Sequence, residues 1–266
     1  MEESRKCVRV CDYLLWGGSV MRNILIAILI GVVVFAALSA SGLLKWGEAI
    51  PPGVLALMVS YFLLARRVFK KVETIFTKAA KSLQGQPPKF DLAIAEMKKA
   101  YAYAPMQLGV RSQVDSQIGV IYFLQKKFDK ALPYLQRSLG FGHWLGGAML
   151  AVTYYKKKDH EQMRKTMDVV VKRAKKQALP WCLYAYLLGQ TGGREQAQKT
   201  LAEGVKKTKG EQKVKDALLA VQNNRKIKMK AFKEQWYQFH LERPPAEYQQ
   251  VQVGGKISKQ QRRGRW

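Results

Sequence analysis

Two long uncharged apolar runs, Ile24 to Leu44 and Ile50 to Ala65, lie near the start of the chain and limit what it can fold into. A helix needs about 20 apolar residues to cross a ~30 Å hydrocarbon core, and the first run reaches that length. The second is shorter and opens with Pro51 and Pro52, which a helix tolerates in its first turn but not in its interior. Only Lys45-Trp46-Gly47-Glu48-Ala49 separates them. The pattern predicts an N-terminal transmembrane helical hairpin over residues 23–66. Two other readings of the same residues stay open. One is a cleaved leader with Ala37-Leu38-Ser39-Ala40 at its cleavage site, followed by a buried core helix. The other is a re-entrant second run.

The flanking charges predict orientation. Arg5, Lys6, Arg9 and Arg22 precede the first run, and Arg66, Arg67, Lys70 and Lys71 follow the second. Cytoplasmic flanks are enriched in Lys and Arg, and Trp is enriched at membrane interfaces, where Trp16 and Trp46 fall. The expectation is an integral protein of the plasma membrane, a bacterial inner membrane, with both termini cytoplasmic. Residues 1–22 would be a basic cytoplasmic N-terminus. The chain holds 46 Lys and Arg against 19 Asp and Glu, a formal charge of +27. That excess favours acidic partners: anionic lipid, nucleic acid or an acidic protein surface. Three cysteines, Cys7, Cys11 and Cys182, do not form a secreted disulfide framework. Cys7 and Cys11 read as reduced thiols beside a helix, with lipidation as the alternative.

Beyond residue 74 an internal repeat emerges. Phe90-Asp91-Leu92-Ala93 and Phe128-Asp129-Lys130-Ala131 each open an amphipathic stretch, and Arg194-Glu195-Gln196-Ala197 opens a third. The pattern resembles the tetratricopeptide repeat, a pair of antiparallel helices marked by W-x2-L-G-x2-Y and then A-x3-F. One unit starts at Ser112, with Ile118, Gly119, Tyr122, Ala131 and Leu135 in the signature places. The next starts at Trp144, with Leu150, Ala151, Tyr154, Met163 and Met167. A third starts at Ala178, with Trp181, Tyr184, Ala185, Leu188, Ala197 and Leu201, and a weaker one starts near Thr74. Lys126-Lys127, Lys157-Lys158 and Gly192-Gly193 are turn residues in step with these units. The expected fold is all-α: the hairpin, then a solenoid of 3–4 helix pairs over residues 74–209, since no pair buries its apolar face alone. An ordinary helical bundle with chance periodicity is the alternative.

The resemblance implies a concave groove lined by the first helix of each pair. Its positions fall on Gln113, Ser116, Val120 and Phe123; on Leu145, Ala148, Val152 and Tyr155; and on Leu179, Cys182, Tyr186 and Gly189. Such a strip, small and aromatic, suits an apolar peptide or helix of a protein partner. The alternative is that the chain's own C-terminal helix fills it. Lys78 alone matches the carboxylate-clamp pattern, so acidic chaperone tails are not the expected ligand. A second candidate surface is basic: Lys172, Arg173, Lys175, Lys176, Lys206 and Lys207 at the ends of second helices, where cations also complement the helix dipole.

Residues 210–243 read as a capping helix followed by an aromatic, basic amphipathic helix, with helix expected throughout Glu211 to Leu241 up to Pro244 and Pro245. Residues 244–266 lack apolar periodicity and read as a basic disordered tail. His143, His160 and His240 stand apart without metal-ligand spacing, and no nucleotide or hydrolase motif occurs. Gly140, Gly142, Gly146 and Gly147 read as packing and turn residues. The expectation is a non-catalytic membrane-anchored adaptor or scaffold without a cofactor or metal. A membrane-tethered nucleic-acid or ribosome-binding protein is the alternative, and an enzyme's accessory subunit is a third class.

Overall fold

The protein is described by a computed structural model that covers residues 22–42, 45–85, 88–107 and 109–245. Among these residues it is all-helical, with 11 α-helices and no strand. The described residues divide into two compact units. One takes in the residues up to Gln84 with Phe90–Val114. The other takes in those from Asp115 onward with residues 85–89.

The first unit begins with α1 (Arg22–Ala40) and α2 (Ile50–Gln84), which pack on each other. Their contact is made by small residues. A Cβ added at Gly31 would lie 2.8 Å from Leu57 Cβ, and one at Gly53 3.1 Å from Phe35 Cβ. Ala27 and Ala49 are fully buried, while Leu29, Leu55 and Phe62 are about two-thirds exposed at 64%, 62% and 62%. Small residues thus sit inside and large apolar ones outside, the reverse of a helix pair that packs in water. Both helices are long and apolar enough to cross a membrane, and only 17% of each apolar window is buried. Pro51 and Pro52 fall in the first turn of α2, where backbone N–H groups have no intrahelical partner in any case.

The expected boundary at residue 66 is not a break. α2 continues for 35 residues, about 52 Å at 1.5 Å per residue. Its apolar half becomes an amphipathic half with Arg66, Arg67, Lys70 and Lys71 exposed. Val68, Val72 and Ala79 are buried on that half, and α3 (Phe90–Lys98) packs along it. The weak repeat start near Thr74 therefore lies inside this helix. A polar chain ties the same unit together. Asn23 donates through Nδ2 to Gln107 Oε1 at 3.4 Å, and Gln107 donates through Nε2 to the Tyr61 hydroxyl at 2.8 Å.

The second unit is built of helix pairs: the latter part of α4 (Val110–Leu124) with α5 (Phe128–Ser138), α6 (Trp144–Lys156) with α7 (His160–Arg173), and α8 (Ala178–Gln190) with α9 (Arg194–Lys207). The connection within each pair has the same backbone. Lys126, Lys158 and Gly192 take left-handed φ of 61°, 61° and 78°. The next N–H reaches back five residues in every case: Lys127 to Tyr122, Asp159 to Tyr154 and Gly193 to Leu188, at 3.0, 3.0 and 2.9 Å. These are Schellman-type helix ends, which satisfy carbonyls the helix leaves open. The pairs are also joined at points of close approach. A Cβ at Gly119 would lie 2.6 Å from Leu135 Cδ2, one at Gly147 2.7 Å from Val170 Cγ2, and one at Gly204 2.9 Å from Trp181 Cγ. The first pair adds a partly buried charge contact, with Arg137 Nη2 3.2 Å and Nε 3.3 Å from the two Asp115 oxygens.

α10 (Gln212–Gln222) packs on α9 and α8. The expected continuous helix to Leu241 does not form. Asn224 turns left-handed at φ 56°, and Arg225 N donates to Ala220 O at 2.7 Å, which closes the helix. Asn is among the few residues that accept this conformation at small cost. The chain then runs irregularly to a 3₁₀ turn at Met229–Phe232 and the single-turn α11 (Glu234–Tyr237). The basic tail and N-terminus, and with them Cys7, Cys11 and Trp16, lie outside the described residues.

Overpacking a close helix contact costs about 1–3 kcal/mol. Gly204→Val should therefore lower the melting temperature of the full chain in detergent, because the new methyls meet the Trp181 ring. Gly189→Ala, where a Cβ meets nothing within 4 Å, should not lower it in a parallel thermal scan.

Candidate partner-binding face

The residues predicted to line an open groove are mostly covered. Ser116, Phe123, Ala148, Val152, Leu179 and Cys182 are buried. Val120, Leu145, Tyr155 and Tyr186 are half-buried, as is Gln113 in the other unit, and Gly189 is exposed. The covering differs along the strip. Ser116 lies against the α6 entry, where Cβ atoms added at Gly142 and Gly146 would come within 3.0 and 2.6 Å of it. Cys182 is roofed by α10, its Sγ 3.8 Å from Lys213 O. Burial, then the nearby Glu211, pushes its thiol pKa up to about 12, so it is an inert core residue.

Elsewhere the cover is the C-terminal strap, residues 225–241. Met229, Phe232, Trp236, Tyr237 and Phe239 are all buried, Trp236 completely at 0% exposure. The Tyr186 ring meets Trp236 edge-on with centroids 4.9 Å apart. His240 stacks on Phe123 at 5.7 Å and stands edge-on to Phe128 at 6.5 Å. Lys213 Nζ sits 5.0 Å over Phe232. Trp236 Nε1 donates to Glu242 Oε2 at 3.1 Å, so the one polar atom of the ring is satisfied by the residue just past the strap. Phe123 and Tyr186, expected on an open surface, are instead covered by the strap. The exposed aromatic rings expected there would cost hydration free energy, and the chain supplies its own rings to cover them.

The strap's far end is electrostatically unusual. Lys156 donates through Nζ to His240 O at 3.0 Å and sits 5.0 Å over the Phe128 ring. Burial, and then Lys126, holds Lys156 below the ordinary lysine value. Burial likewise lowers the His240 pKa, followed by Lys126 and more weakly by Lys156, while a hydrogen bond to the Leu124 backbone pulls the other way. His240 Nε2 is buried without a hydrogen-bond partner, and the residue is left-handed at φ 53°.

The second candidate surface is open. Lys172, Arg173, Lys175, Lys176, Lys206 and Lys207 are all exposed. Arg173 is a structural cap: its guanidinium donates to the carbonyls of Gly140 and Gly142. Among the described residues no group of three His, Cys, Asp or Glu is placed to hold a metal ion. No protein-family model, curated protein or solved structure matches the chain.

The sequence reading held cover by the chain's own C-terminal segment only as the alternative, and expected a continuous helix where the structure has an irregular strap. The signal was present in Phe232, Trp236, Tyr237 and Phe239, more ring area than a solvating cap needs. Two measurements check the arrangement. Tyr186→Ala should lower the melting temperature, because it removes the ring that meets Trp236; a groove-lining tyrosine open to water would be neutral. An imidazole whose folded pKa lies below its reference value of 6.5 favours the folded state above that pH, and this stability is lost as the pH falls through 6.5 toward the folded value. The melting temperature should therefore fall on that side, and His240→Gln should flatten the slope. His143, also lowered by burial, contributes the remainder.

Proposed function

We propose that the chain is a membrane-anchored, non-catalytic adaptor of the tetratricopeptide type. It carries a protein-binding helical solenoid on a two-span anchor at the cytoplasmic face of a plasma membrane, a bacterial inner membrane. The observation that carries the anchor is the inverted packing of α1 and α2. Glycine and alanine meet at the contact, and leucine, valine and phenylalanine face outward. Water would penalise that surface, whereas lipid does not. The continuous α2 supports a stiff connection out of the bilayer, because its exposed arginines and lysines start directly after the apolar half.

The solenoid reading is supported by the three left-handed turns at residues 126, 158 and 192. They are 32 and 34 residues apart by subtraction, close to the 34-residue tetratricopeptide period. Repeat arrays of this kind act by presenting an extended surface. Two surfaces are offered: the inner strip under the strap, and the open lysine-rich edges. The edges suit an acidic protein surface, and anionic lipid or nucleic acid on the same electrostatic ground.

Reporter fusions at Asp12 and after Trp266 should both read as cytoplasmic, and one at Gly47 as external. An external C-terminus would overturn the orientation and the partner classes with it. Affinity recovery from mild detergent should yield a protein partner that survives nuclease. Recovery abolished by nuclease, with steep salt dependence, would replace the adaptor with a nucleic-acid-binding function.

A further inference from the structure

We infer that the inner strip is a peptide-binding groove whose resident ligand is the chain's own strap, and that its partner is a linear segment carrying bulky aromatics at the strap's spacing. The inference rests on the adaptor reading and names the ligand class of its groove. The spacing is that of Phe232, Trp236, Tyr237 and Phe239, four rings within eight residues, flanked by Lys228, Lys230 and Lys233 on the exposed side.

Three observations set the strap apart from the helices beneath it. First, its backbone is self-contained. The N–H groups of Met229, Ala231, Lys233, Trp236, Tyr237, Gln238, Phe239 and His240 all donate to carbonyls between Ile227 and Tyr237. Docking is carried by side chains: Trp236 on Tyr186, His240 on Phe123, and the Lys156 ammonium on the His240 carbonyl. A segment held this way can leave without breaking the backbone bonding of the helix pairs, as a bound peptide does.

Second, the strap is joined to α10 by an exposed connection. Asn223, Asn224, Arg225, Lys226 and Lys228 are exposed. Third, its docked state carries local costs that a better ligand would not share. Lys233 and His240, both non-glycine, adopt φ of 50° and 53°. Positive φ at such residues is uncommon and held only by its surroundings. His240 Nε2 is buried without a partner, and desolvated polar atoms oppose burial. The groups facing that imidazole are Phe123 and the Leu124 carbonyl from α4, Lys126 from the turn, Phe128 from α5 and Lys156 from α6. No carboxylate is among them, so acidification works against docking. A trans ligand with an apolar residue in the His240 place would avoid both the orphaned nitrogen and the lysine repulsion.

Exchange in the full-length protein tests the inference. A protease recognition sequence is inserted after Arg225, the purified chain is cut in detergent, and a fluorescent peptide spanning residues 226–243 is added. The cut protein should keep its helical circular dichroism and take up the labelled peptide saturably as the strap is released. A Trp236→Ala peptide should bind at least about tenfold more weakly, as expected for a central aromatic anchor. A His240→Phe peptide should bind more tightly than the parent sequence. Melting of the helices on cutting would overturn the inference, because the strap would then be core. A strap that stays docked and never exchanges would overturn it equally. The assay is independent of topology and of partner recovery, so an external C-terminus would defeat the adaptor while leaving the exchange result intact.

Discussion

The second unit depends on how the aromatic side chains along α4, α6 and α8 are kept from water. Each pair buries one face against its neighbour and α10 roofs Cys182 on α8, but the rest of the inner sides of α4, α6 and α8 is left for the strap to cover. Those sides carry Phe123, Tyr155 and Tyr186. The aromatic strap closes them, with Trp236 on Tyr186 and His240 on Phe123. Without that cover the rings would stand in water, at roughly 25 cal/mol for every square ångström of apolar surface exposed.

The first unit obeys the opposite rule. There the surface is apolar, and the contact between α1 and α2 is made by small residues. α2 is uniform in backbone from Ile50 to Gln84, and only its side chains change, from leucine and phenylalanine to arginine and lysine. A junction without a loop leaves few rotatable bonds between the apolar half and the amphipathic half.

Much of this was legible in the sequence. Helical periodicity and the doublets Lys126-Lys127, Lys157-Lys158 and Gly192-Gly193 mark the turns because left-handed helix ends impose a fixed count of residues. Gly119 marks a close approach because a Cβ there would strike Leu135. The end of α2 was less legible, since a change from apolar to basic side chains leaves no mark on helix propensity. The open groove was wrongly expected for a related reason. Position within a repeat tells which way Phe123 or Cys182 points but not what lies above it, and the covering residues are 31 to 117 positions later in the chain, counting from Cys182 to Lys213 and from Phe123 to His240. The expected helix through Leu241 failed at Asn224, whose left-handed conformation is a tertiary choice: the chain must turn back to reach the strip.

The central claim is that the strap is docked and yet separable from the helices under it. Native-state hydrogen exchange on the full chain reads both properties at once. The account predicts measurable protection at Trp236, Tyr237, Phe239 and His240, lost together through a sub-global opening while α6 and α8 stay closed. Strap amides that exchange freely from the outset, or that open only when α6 and α8 open, would contradict it.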